Sequence, residues 1–245
     1  MKKSSVWLSL ILWIIAWWLI SFVICQKNAT CPDLDCPECS DSALDPLPAQ
    51  EMSEGLRGVY GIDKNINETT IDNYLWRSDV AYRDVRMLED SATWENKWGT
   101  RNLEGLVEGF EVIPYAFLTE FPQEYIDQKA SENVSGLYTW TTLFSLGEDG
   151  SYIPNYEESM EVLEYLFPKD KYIFLMCGAG GYANFTKKML VALGWDESKI
   201  YNIGWYWNYE GNRGISTVNN NGTETTYDFW KVPYHAIDFD SLTAL

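Results

Sequence analysis

The chain contains 245 residues, of which 46% are hydrophobic, and it includes 12 Trp and 16 Tyr. This length and this apolar content are enough for one generous domain or two small ones. The 36 Asp and Glu residues outnumber the 18 Lys and Arg residues, and the formal net charge is -18. Such a charge repels nucleic acids and anionic lipid head groups, so binding to DNA, RNA or a lipid surface is excluded as a function.

An uncharged, largely apolar run occupies residues 6–25 and follows two lysines. At about 1.5 Å per residue, a helix of this length crosses a hydrocarbon core of about 30 Å, so we predict an uncleaved transmembrane anchor. A cleaved signal peptide and a lipoprotein signal at Cys25 are the alternatives. The lysines before the run and the acidic residues after it predict that residues 1–5 are cytoplasmic. We therefore expect a single-pass protein of the cell membrane with an extracytoplasmic C-terminal domain.

Residues 26–54 are polar and rich in Asp and Pro, without a hydrophobic period, and we predict a tether there. Outside the cytosol, Cys31, Cys36 and Cys39 favour a structural or intermolecular disulfide, which allows for a disulfide-linked or membrane partner. The Cys36-x-x-Cys39 spacing also permits a redox or zinc site. Neither the strand and helix of a thioredoxin-like site nor a fourth zinc ligand is visible, so we expect no metal and no cofactor.

From residue 55 to residue 245 the sequence alternates between strand-like and helical patterns, which predicts one α/β domain with a central parallel sheet flanked by helices. The predicted strands lie at residues 80–85, 110–113, 172–176 and 199–203, and the predicted helices at 156–167 and 183–193. The run at 172–176 is continuously apolar, as expected for a strand that is buried on both faces of the sheet. Gly194 is expected to end the last helix.

A cysteine and a glycine-rich loop lie between the predicted strand at 172–176 and the next helix. The loop residues after Cys177 are Gly178, Ala179, Gly180, Gly181 and Tyr182. In a parallel sheet, ligands bind at the carboxyl ends of the strands, and a glycine-rich turn at a helix N-terminus directs its backbone N–H groups at an anion. We therefore expect these N–H groups to stabilise the thiolate of Cys177, which would then act as a nucleophile.

The loop allows three other interpretations. A dinucleotide site matches the spacing Gly178-x-Gly180-x-x-Ala183, but no acidic residue closes the following strand and too little chain remains for that fold. A cysteine phosphatase needs Arg six places after the cysteine, where this chain has Ala183. The third alternative is a buried, inert cysteine.

Two segments of the chain resemble the rhodanese family. Residues 172–207 contain a strand, the Cys177 loop, a helix that ends at Gly194, another strand and a Gly-Trp turn. Upstream, Asp84-x-Arg86 at a strand end and Gly109 followed by Ile-Pro are similar to two further segments of that family. The matches occur in the family's order and together cover residues 58–209.

The resemblance implies a single rhodanese-like domain in which Cys177 accepts sulfane sulfur as a persulfide and passes it to a thiol. The implied partners are a small sulfur donor and a protein thiol acceptor. Many rhodaneses carry Arg at the positions of Gly178 and Tyr182, where it holds an anionic donor, so thiosulfate is a poor candidate here. A catalytically silent, membrane-tethered binding module and a thiol redox protein are the alternative functions.

Several further residues near the loop receive structural roles. Asp84 and Arg86 are expected to form an ion pair that ties the strand end to its neighbours, as a structural motif near the site. Trp205, Tyr206 and Trp207 are expected to belong to the core or to the wall of a pocket, and we favour the core, because bulky aromatic residues after a buried strand usually pack there.

Overall fold

The structure is a computed structural model and describes residues 44–86, 105–131, 141–220 and 225–245. The chain divides into two units, residues 1–45 and 46–245, and the second unit contains every element described below. Within the described ranges, no helix is long and apolar enough to cross a membrane. The predicted anchor at residues 6–25 and the tether cysteines Cys31, Cys36 and Cys39 lie outside these ranges.

The elements are numbered in chain order. The strands are β1 (Val80–Asp84), β2 (Gly105–Val107), β3 (Glu111–Val112), β4 (Phe144–Leu146), β5 (Tyr152–Pro154), β6 (Tyr172–Cys177), β7 (Ile200–Trp205), β8 (Gly214–Ser216), β9 (Val218–Asn220) and β10 (Thr225–Tyr227). The α-helices are α1 (Gly55–Val59), α2 (Gln123–Ser131), α3 (Ser159–Leu166) and α4 (Gly181–Ala192). Short 3₁₀ turns include Tyr115–Phe117 and Tyr206–Asn208.

Four parallel strands form the central sheet in the order β3-β1-β6-β7. β6 lies between β1 and β7, and it is buried from Ile173 onward, as its continuous apolar run requires. The antiparallel pairs β2-β8, β4-β5 and β9-β10 are separate from this sheet. The predicted α/β fold with a parallel sheet flanked by helices is therefore confirmed.

Alternate side chains of β6 enter two different hydrophobic clusters, one on each face of the sheet. Ile173, Leu175 and Cys177 pack in the cluster that includes buried residues of α3 and α4. Phe174 and Met176 pack in the opposite cluster, which includes Tyr82 and Phe110. Because side chains alternate along a strand, Cys177 lies on the face that α4 covers.

The predicted strands agree with the observed ones to within two residues at each end, whereas α3 begins at Ser159, three residues later than predicted. The reason lies in the turn before it. Tyr156 forms an antiparallel β-bridge with Ala244, in which the N–H of Glu157 donates to the carbonyl of Thr243 and the N–H of Leu245 donates to the carbonyl of Asn155, so the chain is still extended at this point.

The helix α4 ends at Gly194, as predicted. Gly194 has φ +97°, a left-handed conformation that favours glycine. Its N–H donates to Val191, and the N–H of Trp195 donates to Leu190. These two hydrogen bonds form a Schellman motif that satisfies carbonyl groups of the last turn.

Residues 46–54, which the sequence places in the tether, pack against the α/β domain. The hydroxyl of Tyr201 donates to the carbonyl of Pro48 at 2.8 Å, and Nζ of Lys187 donates to Oε1 of Gln50 at 2.6 Å. The N–H of Ser53 donates to the carbonyl of Ile62. The compact unit therefore begins at residue 46 rather than at residue 55.

Candidate active site around Cys177

Cys177 is the last residue of β6, at the carboxyl edge of the central sheet. In the pairing register, Asp84 at the end of β1 lies opposite Met176, and Trp205 at the end of β7 lies opposite Cys177. Three strand ends therefore meet around the thiol. This edge of a parallel sheet is the usual place for a ligand site.

Backbone N–H groups surround the sulfur of Cys177. The N–H of Gly180 donates to Sγ at 3.0 Å. The N–H groups of Ala179 and Ala183 also act on the thiol and favour its anion. Ala183 was missed from the sequence because it belongs to the first turn of α4 rather than to the glycine-rich loop.

Gly180 lies in the tightest part of the loop. Its φ of +88° is a left-handed conformation, and an added Cβ would lie 3.0 Å from Cδ1 of Ile62. Both the backbone conformation and the available space therefore require glycine at this position.

The side chain of Asn202, in β7, connects the segments around the thiol. Its Nδ2 donates to the carbonyl of Tyr60 at 2.8 Å and to the carbonyl of Gly180 at 3.0 Å. Its Oδ1 accepts from the N–H of Gly204 at 2.9 Å. Asn202 is buried, so without it the carbonyl of Tyr60 and the N–H of Gly204 would lose these partners, whereas the carbonyl of Gly180 would keep its hydrogen bond from the N–H of Asn184. Sequence analysis did not identify this residue.

We expect Asn202→Ala to destabilise the protein by about 2–3 kcal/mol, because buried carbonyl and N–H groups lose their partners. The free energy of unfolding, measured by urea denaturation, tests this expectation. Asn212→Ala is the matched control, since Asn212 is exposed and lies outside this network. Equal, small effects of the two substitutions would contradict the role assigned to Asn202.

The thiol of Cys177 is 2% exposed, and burial raises its pKa. The hydrogen bonds from Ala183, Ala179 and Gly180 act in the opposite direction, and the nearby charge of Asp84 adds to the upward shift. The expectation that the loop holds Cys177 as a thiolate is therefore wrong for the free protein. The loss of hydration outweighs the loop N–H groups, so the resting form is the protonated thiol.

We expect iodoacetamide to alkylate folded Cys177 slowly near neutral pH, because the thiolate is the reactive form. Its rate should keep rising with pH beyond the point at which the urea-unfolded chain levels off. Mass spectrometry of the peptide that carries Cys177 separates it from the other cysteines. If the rate of the folded protein levels off at a lower pH than the rate of the unfolded control, the pKa of Cys177 is not raised.

Proton linkage provides an independent check on the same pKa. The folded state holds the Cys177 proton more tightly than the unfolded chain does. The stability of the wild type relative to Cys177→Ser should therefore be constant at low pH and should fall as the pH rises above about 8.5.

Asp84 and Arg86 form a buried ion pair beside the thiol, as predicted. Nε of Arg86 donates to both carboxylate oxygens of Asp84 at 2.9 Å, and Nη2 donates to Oδ2 at 2.5 Å. Nη2 also donates to the carbonyl of Gly105 at 2.7 Å, and the guanidinium carbon lies 3.8 Å from the ring centre of Tyr206. Nη1 is buried and has no hydrogen-bond partner among the described residues.

A cavity of about 440 Å³ adjoins Cys177 and Arg86. The loop residues Gly178, Ala179, Gly181 and Tyr182 contribute to its lining. Gln128, Asn184 and Arg86 supply polar side chains. The structure therefore brings the predicted cysteine, its loop and the Asp84–Arg86 pair to one place.

Trp207 covers the start of the loop. It lines the cavity and is 39% exposed, so the expectation that it packs into the core is wrong. A Cβ on Gly178 would lie 2.8 Å from the Trp207 ring, which explains why this position carries no side chain. Trp205 and Tyr206 are half-buried. Trp205 makes an edge contact with Tyr60, another residue of the cavity lining.

Tyr182 belongs to a cluster of aromatic rings that forms another wall of the cavity. Its ring centre lies 5.2 Å from that of Phe121, 6.1 Å from that of Tyr115 and 6.2 Å from that of Tyr125. Phe185 packs against the same rings. Tyr182 is therefore part of an aromatic wall of the cavity.

The remaining candidate groups lie elsewhere. Nε2 of His235 lies 3.0 Å from Oε2 of Glu111, and His235 does not line the cavity. Within the described ranges, no three His, Cys, Asp or Glu side chains are arranged to bind a metal ion. Cys177 is the single cysteine in the described part of the chain, and the predicted disulfide of Cys31, Cys36 and Cys39 stays a prediction.

No family model, no curated protein and no solved structure matches this chain.

Proposed function

We propose that the chain is a rhodanese-like sulfur carrier or sulfurtransferase that forms a persulfide on Cys177. One observation carries the proposal. The thiol lies at the carboxyl edge of a parallel sheet, beside a cavity, with a hydrogen bond from the N–H of Gly180 at its sulfur and the N–H groups of Ala179 and Ala183 also favouring its anion. Such N–H groups stabilise charge that develops on a sulfur atom during transfer, as an oxyanion hole does for oxygen.

The positions of the two rhodanese-like segments support the proposal. The Asp84-x-Arg86 segment ends β1, and the Cys177 loop follows β6, which pairs directly with β1. The Ile113-Pro114 part of the Gly109 segment directly follows β3, which pairs with the other side of β1. Residues that are distant in the sequence thus meet at the edge where the proposed chemistry requires them.

The transfer consists of two sulfur exchanges without net oxidation. In the first, Sγ of Cys177 attacks the outer sulfur of a donor persulfide, R–S–S⁻, and the S–S bond of the donor breaks. The proton of Cys177 passes to the leaving sulfur, so the products are R–SH and the persulfide anion of Cys177. In the second, an acceptor thiolate attacks the outer sulfur of that persulfide and restores the Cys177 thiolate, which regains a proton.

The raised pKa of Cys177 is compatible with this scheme. A persulfide is a stronger acid than the corresponding thiol, so a thiol carries the proton and a persulfide carries the negative charge both before and after the exchange. The negative charge then lies on the outer sulfur, to which the loop N–H groups can donate hydrogen bonds. Between transfers, the protonated and buried thiol is a poor target for oxidants.

The predicted anchor at residues 6–25 would hold this domain at the outer face of the cell membrane. A small sulfur donor would reach Cys177 from the extracytoplasmic side, and a protein thiol would receive the sulfur. A net charge of -18 disfavours small anionic donors at long range.

The burial of Cys177 favours a second candidate function. At 2% exposure and with a raised pKa, the thiol could be inert, and the domain would then be a membrane-tethered binding module. In the redox alternative, Cys177 forms a disulfide with Cys31, Cys36 or Cys39.

We expect that incubation of the full-length chain with cysteine persulfide adds one sulfur atom to Cys177. Mass spectrometry of alkylated peptides identifies the modified residue, and Cys177→Ser should lose the modification. A disulfide between Cys177 and a tether cysteine would favour the redox protein. An unmodified Cys177 under conditions that modify the tether cysteines would favour the binding module.

A further inference from the structure

The cavity beside Cys177 is bounded mainly by aromatic side chains. These are Tyr60, Tyr125, Tyr182, Phe185 and Trp207. Aromatic faces contribute large apolar contact areas and bind flat rings in stacked or edge-on arrangements. The volume of the cavity, about 440 Å³, lies within the range of sites that hold organic molecules, which is about 300–1,000 Å³.

Positive charge in this cavity is scarce. Among the described residues that line it, the only charged side chain is Arg86. Two of its nitrogens, Nε and Nη2, bond to Asp84, so the pair is neutral as a whole. No Lys or Arg occurs in the loop from Gly178 to Tyr182. An inorganic dianion such as thiosulfate therefore meets a neutral, largely aromatic surface in a strongly acidic protein.

Contacts with the rest of the fold hold the aromatic side chains of the cavity in place. The backbone N–H of Trp207 donates a hydrogen bond to the carbonyl of Gly178, which places Trp207 beside the loop. Tyr125 contacts the rings of Tyr182 and Phe185, and both of these rings contact the buried ring of Tyr115. The cavity thus has aromatic surfaces from two parts of the fold, the turn after β7 and the helices α2 and α4.

We propose that the molecule that enters this cavity is a small organic persulfide or thiol with an aromatic body, rather than thiosulfate. The inference rests on the proposed function, because it names the substrate class of the same site. The aromatic body packs against Trp207 and the Phe185 side of the cavity, and its sulfur reaches Cys177. Among the described residues, Nη1 of Arg86 has no hydrogen-bond partner, so it can donate to an acceptor group on such a ligand.

Binding can be measured without sulfur transfer. The full-length Cys177→Ser chain in lipid nanodiscs is titrated calorimetrically under reducing conditions, and the heat from empty nanodiscs is subtracted. We expect phenylmethanethiol to bind at least ten-fold more tightly than 2-mercaptoethanol, because only the former has a ring to pack. Thiosulfate should show no saturable binding. Cys177→Ala repeats the titration if the serine variant is unstable.

Two matched tryptophan variants test the position of the ligand. Trp207→Leu should lower the affinity for phenylmethanethiol by roughly ten-fold, since one aromatic wall is lost. Trp230→Leu should leave it unchanged, because Trp230 is 81% exposed and does not line the cavity. Equal affinities of the two thiols, saturable thiosulfate binding, or equal effects of the two variants would overturn the inference.

A second measurement separates this inference from the proposed function. The wild-type chain is exposed to phenylmethyl persulfide or to thiosulfate, and sulfur on Cys177 is measured by mass spectrometry. Ring-selective binding without sulfur on Cys177 would retain the aromatic site and refute sulfur transfer. Faster loading from thiosulfate than from the aromatic persulfide would retain sulfur transfer and refute the aromatic substrate.

Discussion

The parallel pairing of β6 with β1 and β7 determines where the residues of the candidate site meet. Because parallel strands end at the same edge, Asp84, Cys177 and Trp205 lie side by side, although they are far apart in the sequence. The register of β7 shifts after Leu175, so that Gly204, with φ +85°, lies opposite Met176. The chain then turns, and Trp207 is placed over Gly178.

Two electrostatic effects oppose each other at Cys177. Burial disfavours the anion because water no longer solvates it, whereas the N–H groups of Ala179, Gly180 and Ala183 favour it. In the free protein the first effect is larger. A bound persulfide changes this balance, because it places charge on a second, more acidic sulfur. The site therefore suits a buried persulfide anion better than a free thiolate, which is what a sulfur carrier requires.

The acidic surface and the neutral cavity both disfavour the binding of small anions. The net charge of -18 lowers the local concentration of small anions, and the Asp84–Arg86 pair contributes no net positive charge at the cavity. Selectivity would then come from aromatic packing rather than from ion pairing. Such a site distinguishes ligands by shape and apolar area.

Local sequence patterns predicted the strands of the sheet, the helix after Cys177 and its glycine stop, because each depends on neighbouring residues. The site required contacts between distant residues. Asn202 bonds to Tyr60 across 142 positions, and nothing in either segment indicates this pairing. The direction of the pKa shift of Cys177 could not be predicted either, because the loop sequence indicates the N–H groups but not the burial of the thiol.

The packing of residues 46–54 and the position of Trp207 illustrate the same limit. The former segment has no hydrophobic period, yet its backbone and side-chain polar groups bond to Tyr201, Lys187 and Ile62. Trp207 follows a buried strand, which usually indicates core packing, but the turn at Gly204 directs it to the cavity wall. In both cases, tertiary contacts override the local pattern.

A crystal structure of the domain from residue 46 onward, determined after loading with cysteine persulfide, tests the central claim most directly. The proposed function predicts a second sulfur bonded to Sγ of Cys177, within hydrogen-bond distance of the N–H groups of the loop and of Ala183. An unmodified Cys177 in crystals of folded, fully treated protein would contradict it. A second sulfur that points away from these N–H groups would contradict the role assigned to the loop.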